Sequence, residues 1–309
     1  MDMLVTILPL VFLILFGFVL QRLRFFEDIS FKRMQSFLLK VTLPCLLFTV
    51  FSGMEFVSGQ FIITAGMLVF MITLLLIGLL LYRILRIKHE VFVFFISGFG
   101  FGTVALPVFI EVFGIENAYN IVPLGIGNEL FASSILIPAL HIYYCKGSAK
   151  LSAFLSPAII MVVLGVLTGL SNLGPVITSN FIGASLFEAI SRVGSLTLPI
   201  SLILIGYRIR LSDKGYLKIS AMYAAARLII GISLGIAFRF FFLDSFIPYF
   251  HLLDSAFFII ILQHGSLAPQ LYVGQYGSTE NQIIANNAFV INMAVGMVLT
   301  FIYLITVTA

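Results

Sequence analysis

The sequence is poor in charge, tryptophan and cysteine, and each shortage excludes something. Charged residues make up 10% of the 309 residues, against about 25% in an ordinary soluble domain. So few charges cannot solvate a globular surface, which excludes a soluble enzyme, a nucleic-acid-binding protein and a disordered regulator. The two cysteines, Cys45 and Cys145, stand in or beside apolar runs, which argues against a disulfide framework and a thiolate metal site. Without tryptophan, an aromatic belt at a membrane interface must be built from tyrosine.

What the sequence has in quantity is apolar side chains, which make up 61% of it, with a mean hydropathy of +1.16. A helix that crosses a bilayer needs about 20 such residues. The sequence predicts ten spans, at residues 3–20, 34–53, 60–82, 91–113, 119–144, 152–171, 194–207, 217–243, 252–275 and 283–307. Residues 180–193, before the short seventh span, are predicted to form an interfacial amphipathic helix.

The basic residues fall on one side of this topology. Of the seventeen, Arg192 and Arg239 lie in or beside even-numbered loops, and Arg227 lies inside the eighth span. The other fourteen lie in or beside odd-numbered loops: Arg22, Arg24, Lys32, Arg33, Lys40, Arg83, Arg86, Lys88, Lys146, Lys150, Arg208, Arg210, Lys214 and Lys218. The positive-inside rule therefore predicts cytoplasmic odd loops and extracytoplasmic termini. The first span has no basic residue before it, which predicts a retained helix rather than a cleaved signal peptide.

Similar motifs recur in the two halves of the chain. The matched positions are Pro44 with Pro199, Pro107 with Pro269, Asn117 with Asn281, and Asn128 with Asn292. They recur in the same order, and their separation grows slightly along the chain. Because five spans is an odd number, a repeated five-span unit must be inverted in the membrane. The sequence thus predicts one repeat at residues 1–150 and an inverted repeat at 151–309, an architecture typical of secondary transporters.

Glycine and proline cluster in the fourth span of each repeat. Gly98, Gly100 and Gly102 precede Pro107, and Gly265 precedes Pro269. We expect these helices to unwind at 102–107 and 265–269 and to cross near the bilayer midplane, with their half-helix amino termini facing one cavity suited to a carboxylate. The alternative is that these residues only kink the helices. The candidate substrate-binding residues are Gly100, Gly102, Thr103, Ala105, Pro107, Gly265, Ser266, Pro269, Asn128 and Asn292.

Few ionisable side chains lie at membrane depth, where each is costly. Glu129 is a candidate to carry a proton, to ligate Na⁺ or to pair with a cation, and a structural ion pair is its ordinary alternative. Arg227 is a candidate to neutralise an anionic substrate or to pair with Glu129, and its alternative is to snorkel to the surface. His264, beside Gln263, is either a titratable group or a hydrogen-bonded packing residue. These four are the candidate coupling residues, and no metal or cofactor is expected beyond H⁺ or Na⁺.

Enzyme signatures are missing from the sequence. It has no paired histidines at metal-ligand spacing, no Gly-x-Ser-x-Gly elbow and no Walker phosphate loop. The run Gly98-Phe99-Gly100-Phe101-Gly102 is similar to a dinucleotide loop, but it lies in an apolar span with no strand before it. We therefore expect no enzymatic activity.

A set of motifs in fixed order connects this chain to a known family. They are the opening apolar helix with its basic loop, Leu43-Pro44, the glycine-rich run into Leu106-Pro107, the segment from Leu198-Pro199 to Ile205-Gly206, and Arg227 with its apolar flanks. With these motifs the chain resembles the auxin efflux carrier family, which includes the plant PIN proteins and many bacterial PIN-like transporters. Two features depart from the family pattern. Gly100 stands where bacterial relatives commonly have asparagine, and the third span carries no charged pair.

The resemblance implies an all-α integral membrane fold of ten transmembrane helices. They would form two inverted five-helix repeats with broken crossover helices 4 and 9, as in bile-acid symporters and the NhaA antiporter. Helices 1, 2, 6 and 7 would form a scaffold that dimerises, and helices 3–5 and 8–10 a transport domain that moves by an elevator mechanism.

The same resemblance implies a substrate class. It points to small organic anions such as auxins, malate or malonate, carried by a multi-pass protein of the inner or plasma membrane whose partners are its substrate, lipid and a second copy, and not nucleic acid. Two other functions remain open, namely a receptor or sensor that binds an anion without moving it, and a passive anion channel.

Overall fold

The computed structural model describes residues 2–54, 58–145, 157–171, 173–209 and 213–308. Within these ranges the chain is helical, apart from its loops and one isolated β-bridge. The described α-helices are α1 (Asp2–Arg22), α2 (Asp28–Phe37), α3 (Leu43–Ser52), α4 (Ser58–Ile84), α5 (Val91–Ile96), α6 (Leu106–Phe113), α7 (Val122–Phe131), α8 (Ile137–Cys145), α9 (Pro157–Leu170), α10 (Leu173–Thr178), α11 (Phe181–Ser195), α12 (Thr197–Arg208), α13 (Leu217–Phe241), α14 (Leu253–Leu262), α15 (Leu267–Tyr276) and α16 (Thr279–Thr308).

Several of these helices are joined end to end by π-helical turns. The turns are Leu38–Thr42 between α2 and α3, Phe101–Ala105 before α6, and Ala132–Leu136 between α7 and α8. Such turns keep the chain helical while they change the direction in which the following side chains point. The second and fifth predicted spans each contain two α-helices, and these turns make the helix continuous across each pair.

Six helical stretches in the described residues are long and apolar enough to cross a membrane: Ile29–Ser52, Gly59–Ile84, Val122–Tyr144, Phe181–Arg208, Lys214–Phe241 and Thr279–Val307. Four shorter stretches, Leu8–Arg22, Phe101–Phe113, Ile160–Leu170 and Leu253–Leu262, are also apolar. The prediction of an all-helical, multi-pass membrane protein is confirmed at this level. The arrangement as two inverted repeats stays a prediction.

The helix that the sequence predicted at residues 180–193, before the seventh span, is present as α11. α11 begins at Phe181, where the side chain of Asn180 accepts a hydrogen bond of 2.7 Å from the Gly183 amide. Only Leu196 separates α11 from α12, and its backbone angles (φ −68°, ψ −13°) remain in the right-handed helical region. The segment 181–195 therefore leads directly into α12, and Phe181–Arg208 makes one stretch of 28 residues.

The chain forms two compact units. Unit 1 comprises Met1–Phe61, Gly102–Val122 and Leu155–Arg208. Within it α1 packs along α12, and α3 packs against both α9 and α11. The contact between α1 and α12 is close, because a Cβ atom on Gly17 would overlap the Ile203 carbonyl and one on Gly206 would overlap the Ile14 carbonyl. Small residues at such crossings let two membrane helices approach each other.

Unit 2 comprises Ile62–Phe101, Pro123–Phe154 and Ile209–Ala309. Within it α13 packs against α5, α14 and α16, and α15 packs against α8 and α16. This unit contains the break between α5 and the Phe101–Ala105 turn, and also the break between α14 and α15. Some predicted features lie outside the described residues. They are the boundary between residues 150 and 151, and the predicted cytoplasmic-loop residues Lys146, Lys150 and Arg210.

Candidate functional site

The fourth span is broken before its proline. α5 ends at Ile96, Ser97 is extended (φ −93°, ψ 142°), and Gly98 has a φ of +82° that side chains rarely tolerate. The predicted unwinding at 102–107 is wrong, because Phe101–Ala105 forms a π-helical turn that runs into α6. Pro107 comes just after this turn, inside the continuous helical stretch Phe101–Phe113. The break therefore lies at residues 97–100, where the glycines allow it.

The ninth span is broken between α14 and α15. Gln263 is extended (φ −69°, ψ 166°), and the hydroxyl of Ser266 accepts a hydrogen bond of 3.3 Å from the Ala268 amide at the start of α15. Pro269 lies in the first turn of α15, where amides have no partner within the helix. Gly265 thus lies in the break as predicted, and Ser266 serves as a helix cap.

The two broken segments pair with each other inside unit 2. The Gly100 amide donates to the His264 carbonyl at 2.9 Å, and the Ser266 amide donates to the Gly98 carbonyl at 3.3 Å. Phe99 and Gly265 form the isolated antiparallel bridge between these bonds. The pairing supplies partners for backbone groups that a break in a membrane helix would otherwise leave unsatisfied.

Arg227 of α13 donates hydrogen bonds to backbone carbonyls that the broken helices leave free. Its side chain is 1% exposed. Nε donates to the Phe95 carbonyl at 3.1 Å, and Nη2 donates to the Gly98 carbonyl at 3.2 Å. Nη1 donates to the Gln263 carbonyl at 2.9 Å and to Oδ1 of Asn292 at 3.0 Å. One guanidinium therefore holds the carbonyl ends of α5 and α14, and its planar fork suits several acceptors at once.

The charge of Arg227 has no carboxylate against it. Among the described residues no Asp or Glu lies within ion-pair distance of its guanidinium, so the pair with Glu129 is not formed. The guanidinium lies 4.6 Å from the centre of the Phe99 ring, which adds a cation–π contact. Because the side chain is buried, the alternative in which it snorkels to the surface is wrong.

Asn128 of α7 holds the first break from its other side. Its Oδ1 accepts from the Phe99 amide at 3.1 Å, and its Nδ2 donates to the Phe99 carbonyl at 3.2 Å. The amide group thus imitates a neighbouring β-strand. Nδ2 also lies 3.4 Å from Oε1 of Glu129, so a carboxylate contacts the side chain that holds the break.

Asn292 of α16, the sequence counterpart of Asn128, is bonded differently. Its Oδ1 accepts from Arg227, whereas its Nδ2 is buried with no hydrogen-bond partner among the described residues. Gln263 donates through Nε2 to Thr300 at 3.1 Å, and within the same described part of the chain its buried Oε1 has no partner. One donor and one acceptor next to the second break are therefore available to a ligand, since buried polar groups are rarely left unpaired.

His264 lies in the second break and contacts Gly100 of the first. Its Nδ1 lies 2.7 Å from the Gly265 carbonyl, and its ring centre lies 5.0 Å from that of Phe289. A Cβ atom at position 100 would lie 2.6 Å from Nδ1 of His264, too close for a non-bonded contact. The glycine at position 100 therefore leaves the space that the imidazole fills.

The remaining candidates from the fourth span belong to unit 1. Gly102, Thr103, Ala105 and Pro107 are all buried, and Gly102 packs against the side chain of Leu43. The Thr103 hydroxyl is buried, and no described residue forms a hydrogen bond with it. Unit 2 brings together Gly100, Asn128, Glu129, Arg227, Gln263, His264, Gly265, Ser266 and Asn292.

Sequence reasoning missed three members of this arrangement. The carbonyls of Phe95 and Gly98 bind Arg227, and Thr300 binds Gln263. The alternating glycines at 98, 100 and 102 are the signal that could have identified Gly98. For Thr300 the signal is its spacing of eight residues from Asn292, which places both on one face of α16.

Comparison with known protein families gives a match over part of the chain. Residues 2–142 match a family described as membrane transport protein, and this match supports the resemblance to the auxin efflux carriers. The comparison with curated proteins found no match.

Proposed function

From the match of residues 2–142 to a family of membrane transport proteins, we propose that this chain is an auxin efflux carrier relative that carries small organic anions by secondary active transport. The substrates would be auxin-like acids, other monocarboxylates or dicarboxylates. The proposal places the binding site at the paired breaks of unit 2.

The buried charge of Arg227 carries the proposal. Its four described acceptors are three backbone carbonyls and one side-chain amide, all of them neutral. Carbonyl dipoles solvate a guanidinium but do not cancel its charge, and buried charges are normally paired with an opposite charge. The breaks therefore have a positive potential, which favours a carboxylate over a neutral or cationic ligand.

Two further groups favour an anion at the same place. The Nδ2 group of Asn292 is a buried donor with no partner in the described part of the chain, on the same amide that contacts Arg227. α15 begins directly after the break, and the amino-terminal end of a helix carries partial positive charge. A carboxylate near Asn292 would give this donor an acceptor.

The transport cycle we propose is elevator-type alternating access. Helices 3–5 and 8–10 of the ten predicted spans carry the substrate, and helices 1, 2, 6 and 7 form the scaffold of a homodimer in the inner or plasma membrane. Both termini are extracytoplasmic in this proposal.

Glu129 is the proposed coupling residue for H⁺ or Na⁺. Its carboxylate contacts Asn128, and Asn128 is hydrogen-bonded to Phe99 in the first break, so one side chain connects Glu129 to that break. A change in its protonation or ion binding would alter the hydrogen bonds that Asn128 has to share. If Glu129→Gln leaves the pH and Na⁺ dependence of uptake unchanged, while Glu116→Gln serves as the exposed control, this role is excluded.

Reconstituted vesicles test the proposed function directly. The purified chain is placed in liposomes, and the uptake of radiolabelled malonate and indole-3-acetate is measured against an outward gradient of the same unlabelled acid. A transporter gives saturable uptake and counterflow. A receptor binds the acid without accumulating it, and a channel gives flux without counterflow, so either result contradicts the proposal.

Two asparagines of α16 provide a matched pair of variants. Asn292→Leu should reduce uptake to about a tenth or less, because a hydrogen bond to a charged ligand is lost. Asn286→Leu, whose amide instead accepts from Gln270 at 3.4 Å, should keep most of it. Equal uptake by the two variants would mean that the substrate does not bind at the second break.

A further inference from the structure

Unit 1 contains a cavity that the proposed anion site does not use. Its volume is about 180 Å³, and it is lined by residues of α3, α6, α11 and α12 and by Ile115. That volume corresponds to about six water molecules. Pro107, a sequence candidate for substrate binding, forms part of one wall. Every lining residue belongs to unit 1, and neither Arg227 nor any of its hydrogen-bond partners is among them.

The polar groups of this cavity are mainly acceptors. The Thr49 hydroxyl donates to the carbonyls of Cys45 and Leu46 at 3.1 and 3.0 Å, and the Ser195 hydroxyl donates to the Arg192 carbonyl at 2.8 Å. Each hydroxyl has one hydrogen, and these bonds already use it. Both oxygens can therefore only accept hydrogen bonds from a ligand. The hydroxyl of Ser191 can rotate to act in either direction.

Glu111 gives the cavity a negative charge. No described basic residue forms an ion pair with its carboxylate. The basic residue of α11 next to Ser191 is Arg192, and it is bonded to Glu188 at 2.9 Å. An unneutralised carboxylate with acceptor hydroxyls selects a ligand that carries positive charge and several donor hydrogens.

The remaining walls are apolar. Leu46, Ile110 and Leu198 contribute from three different helices. A bare inorganic cation needs about six oxygen ligands around it, and apolar walls cannot supply them. An ammonium group with a short hydrocarbon body fits both parts, because its hydrogens meet the acceptors and its carbons meet the apolar walls. We propose that this cavity binds a small organic ammonium ion through Glu111, Thr49, Ser191 and Ser195.

Binding of n-butylammonium to the purified full chain tests this proposal. Calorimetry in detergent should show binding to the wild type, and the Glu111→Gln variant should bind about tenfold or more weakly, as expected for loss of a charge-assisted contact. Glu116→Gln, five residues further along and outside the cavity lining, should bind like the wild type. Equal binding by the Glu111→Gln variant would overturn the proposal.

Two salts distinguish the other possible occupants. Sodium butyrate has nearly the same hydrocarbon body with the opposite charge, and sodium chloride supplies the inorganic cation alone. Binding of butyrate that is lost in a variant with Ser191, a lining residue, replaced by leucine would make the cavity a site for organic anions, because that change leaves the residues of the proposed anion site in unit 2 intact. Binding of Na⁺ that is lost in the Glu111→Gln variant would make it an inorganic cation site. Either result overturns the proposal.

A second variant covers the case in which the Glu111→Gln chain does not fold. Ser191→Leu adds an apolar side chain to the lumen and leaves the carboxylate in place. Cavity filling often preserves or raises stability, so this chain should unfold at or above the wild-type temperature and bind no n-butylammonium. Wild-type affinity in this variant would contradict the proposed location.

Discussion

The imidazole of His264 occupies the space in which a side chain at position 100 would begin. The two residues belong to different broken segments, and the Gly100 amide also donates to the His264 carbonyl. The first segment therefore lies against the second at a distance that only glycine permits.

Replacing Gly100 by alanine should destabilise the protein by about 1–3 kcal/mol, the usual range for overpacking. The added Cβ must displace the His264 ring or separate the two segments. Thermal unfolding of the purified chain in detergent measures the effect.

Gly274→Ala is the matched control, because a Cβ at that position in α15 meets nothing within 4 Å. The added variant His264→Ala should restore much of the loss when it is combined with Gly100→Ala, since the clashing ring is then gone. An unchanged unfolding temperature in Gly100→Ala alone would show that the ring moves freely.

Replacing Arg227 by lysine should cost more than a conservative change normally does. Lysine keeps the charge but has three donors on one nitrogen, and it cannot serve four acceptors spread over two helix ends. Each carbonyl left unpaired costs about 1–3 kcal/mol, so a total loss of several kcal/mol is expected in denaturant or thermal unfolding.

Arg239→Lys provides the comparison on the same helix. Arg239 contacts Asp244 and Asp254 at 3.7 and 3.0 Å, and its side chain is partly exposed. Exposed ion pairs contribute about 0–1 kcal/mol, so this variant should unfold close to the wild type. Similar losses in the two variants would mean that the fork geometry of Arg227 is unimportant.

Asn128 and Asn292 should differ in what their removal does to stability. Asn128→Ala deletes two bonds to Phe99 and should lower stability by about 1–3 kcal/mol. Asn292→Ala deletes one bond and removes a donor that has no partner, so its loss should be smaller. Equilibrium unfolding in the absence of ligand makes the comparison, and a larger loss for Asn292 would contradict it.

Single cysteines test the predicted topology. In a chain with Cys45 and Cys145 replaced by serine, Ser179→Cys lies in the exposed turn before α11, and Ser30→Cys lies on the exposed face of α2. The positive-inside rule places these positions outside and inside respectively. A membrane-impermeant maleimide should therefore label position 179 on intact cells and position 30 only after permeabilisation. The reverse pattern would invert the proposed orientation.

The sequence allowed the elements of this protein to be predicted better than their contacts. Long apolar runs and glycine clusters are local signals, so the helices and the break at Gly265 were accessible. The first break was placed too late because Pro107 was read as a helix breaker, although the helical stretch Phe101–Phe113 continues through it.

The role of Arg227 was the part that sequence reasoning could not supply. Its acceptor at Phe95 lies 132 residues away. That acceptor is a backbone carbonyl, and since every residue carries one, no side-chain pattern marks it. The hydrogen bonds of the Arg227 guanidinium could be identified only from the structure, because the fold brings the carbonyl ends of two helices together.

The pairing of the two breaks also has a kinetic consequence. The Gly100 amide donates to one segment and the Ser266 amide donates back to the other, so a separation of the segments exposes both amides at once. Local openings of this kind control the exchange of backbone hydrogens with deuterium. These two amides, 166 residues apart in sequence, should therefore exchange at one common rate, as members of a single opening unit.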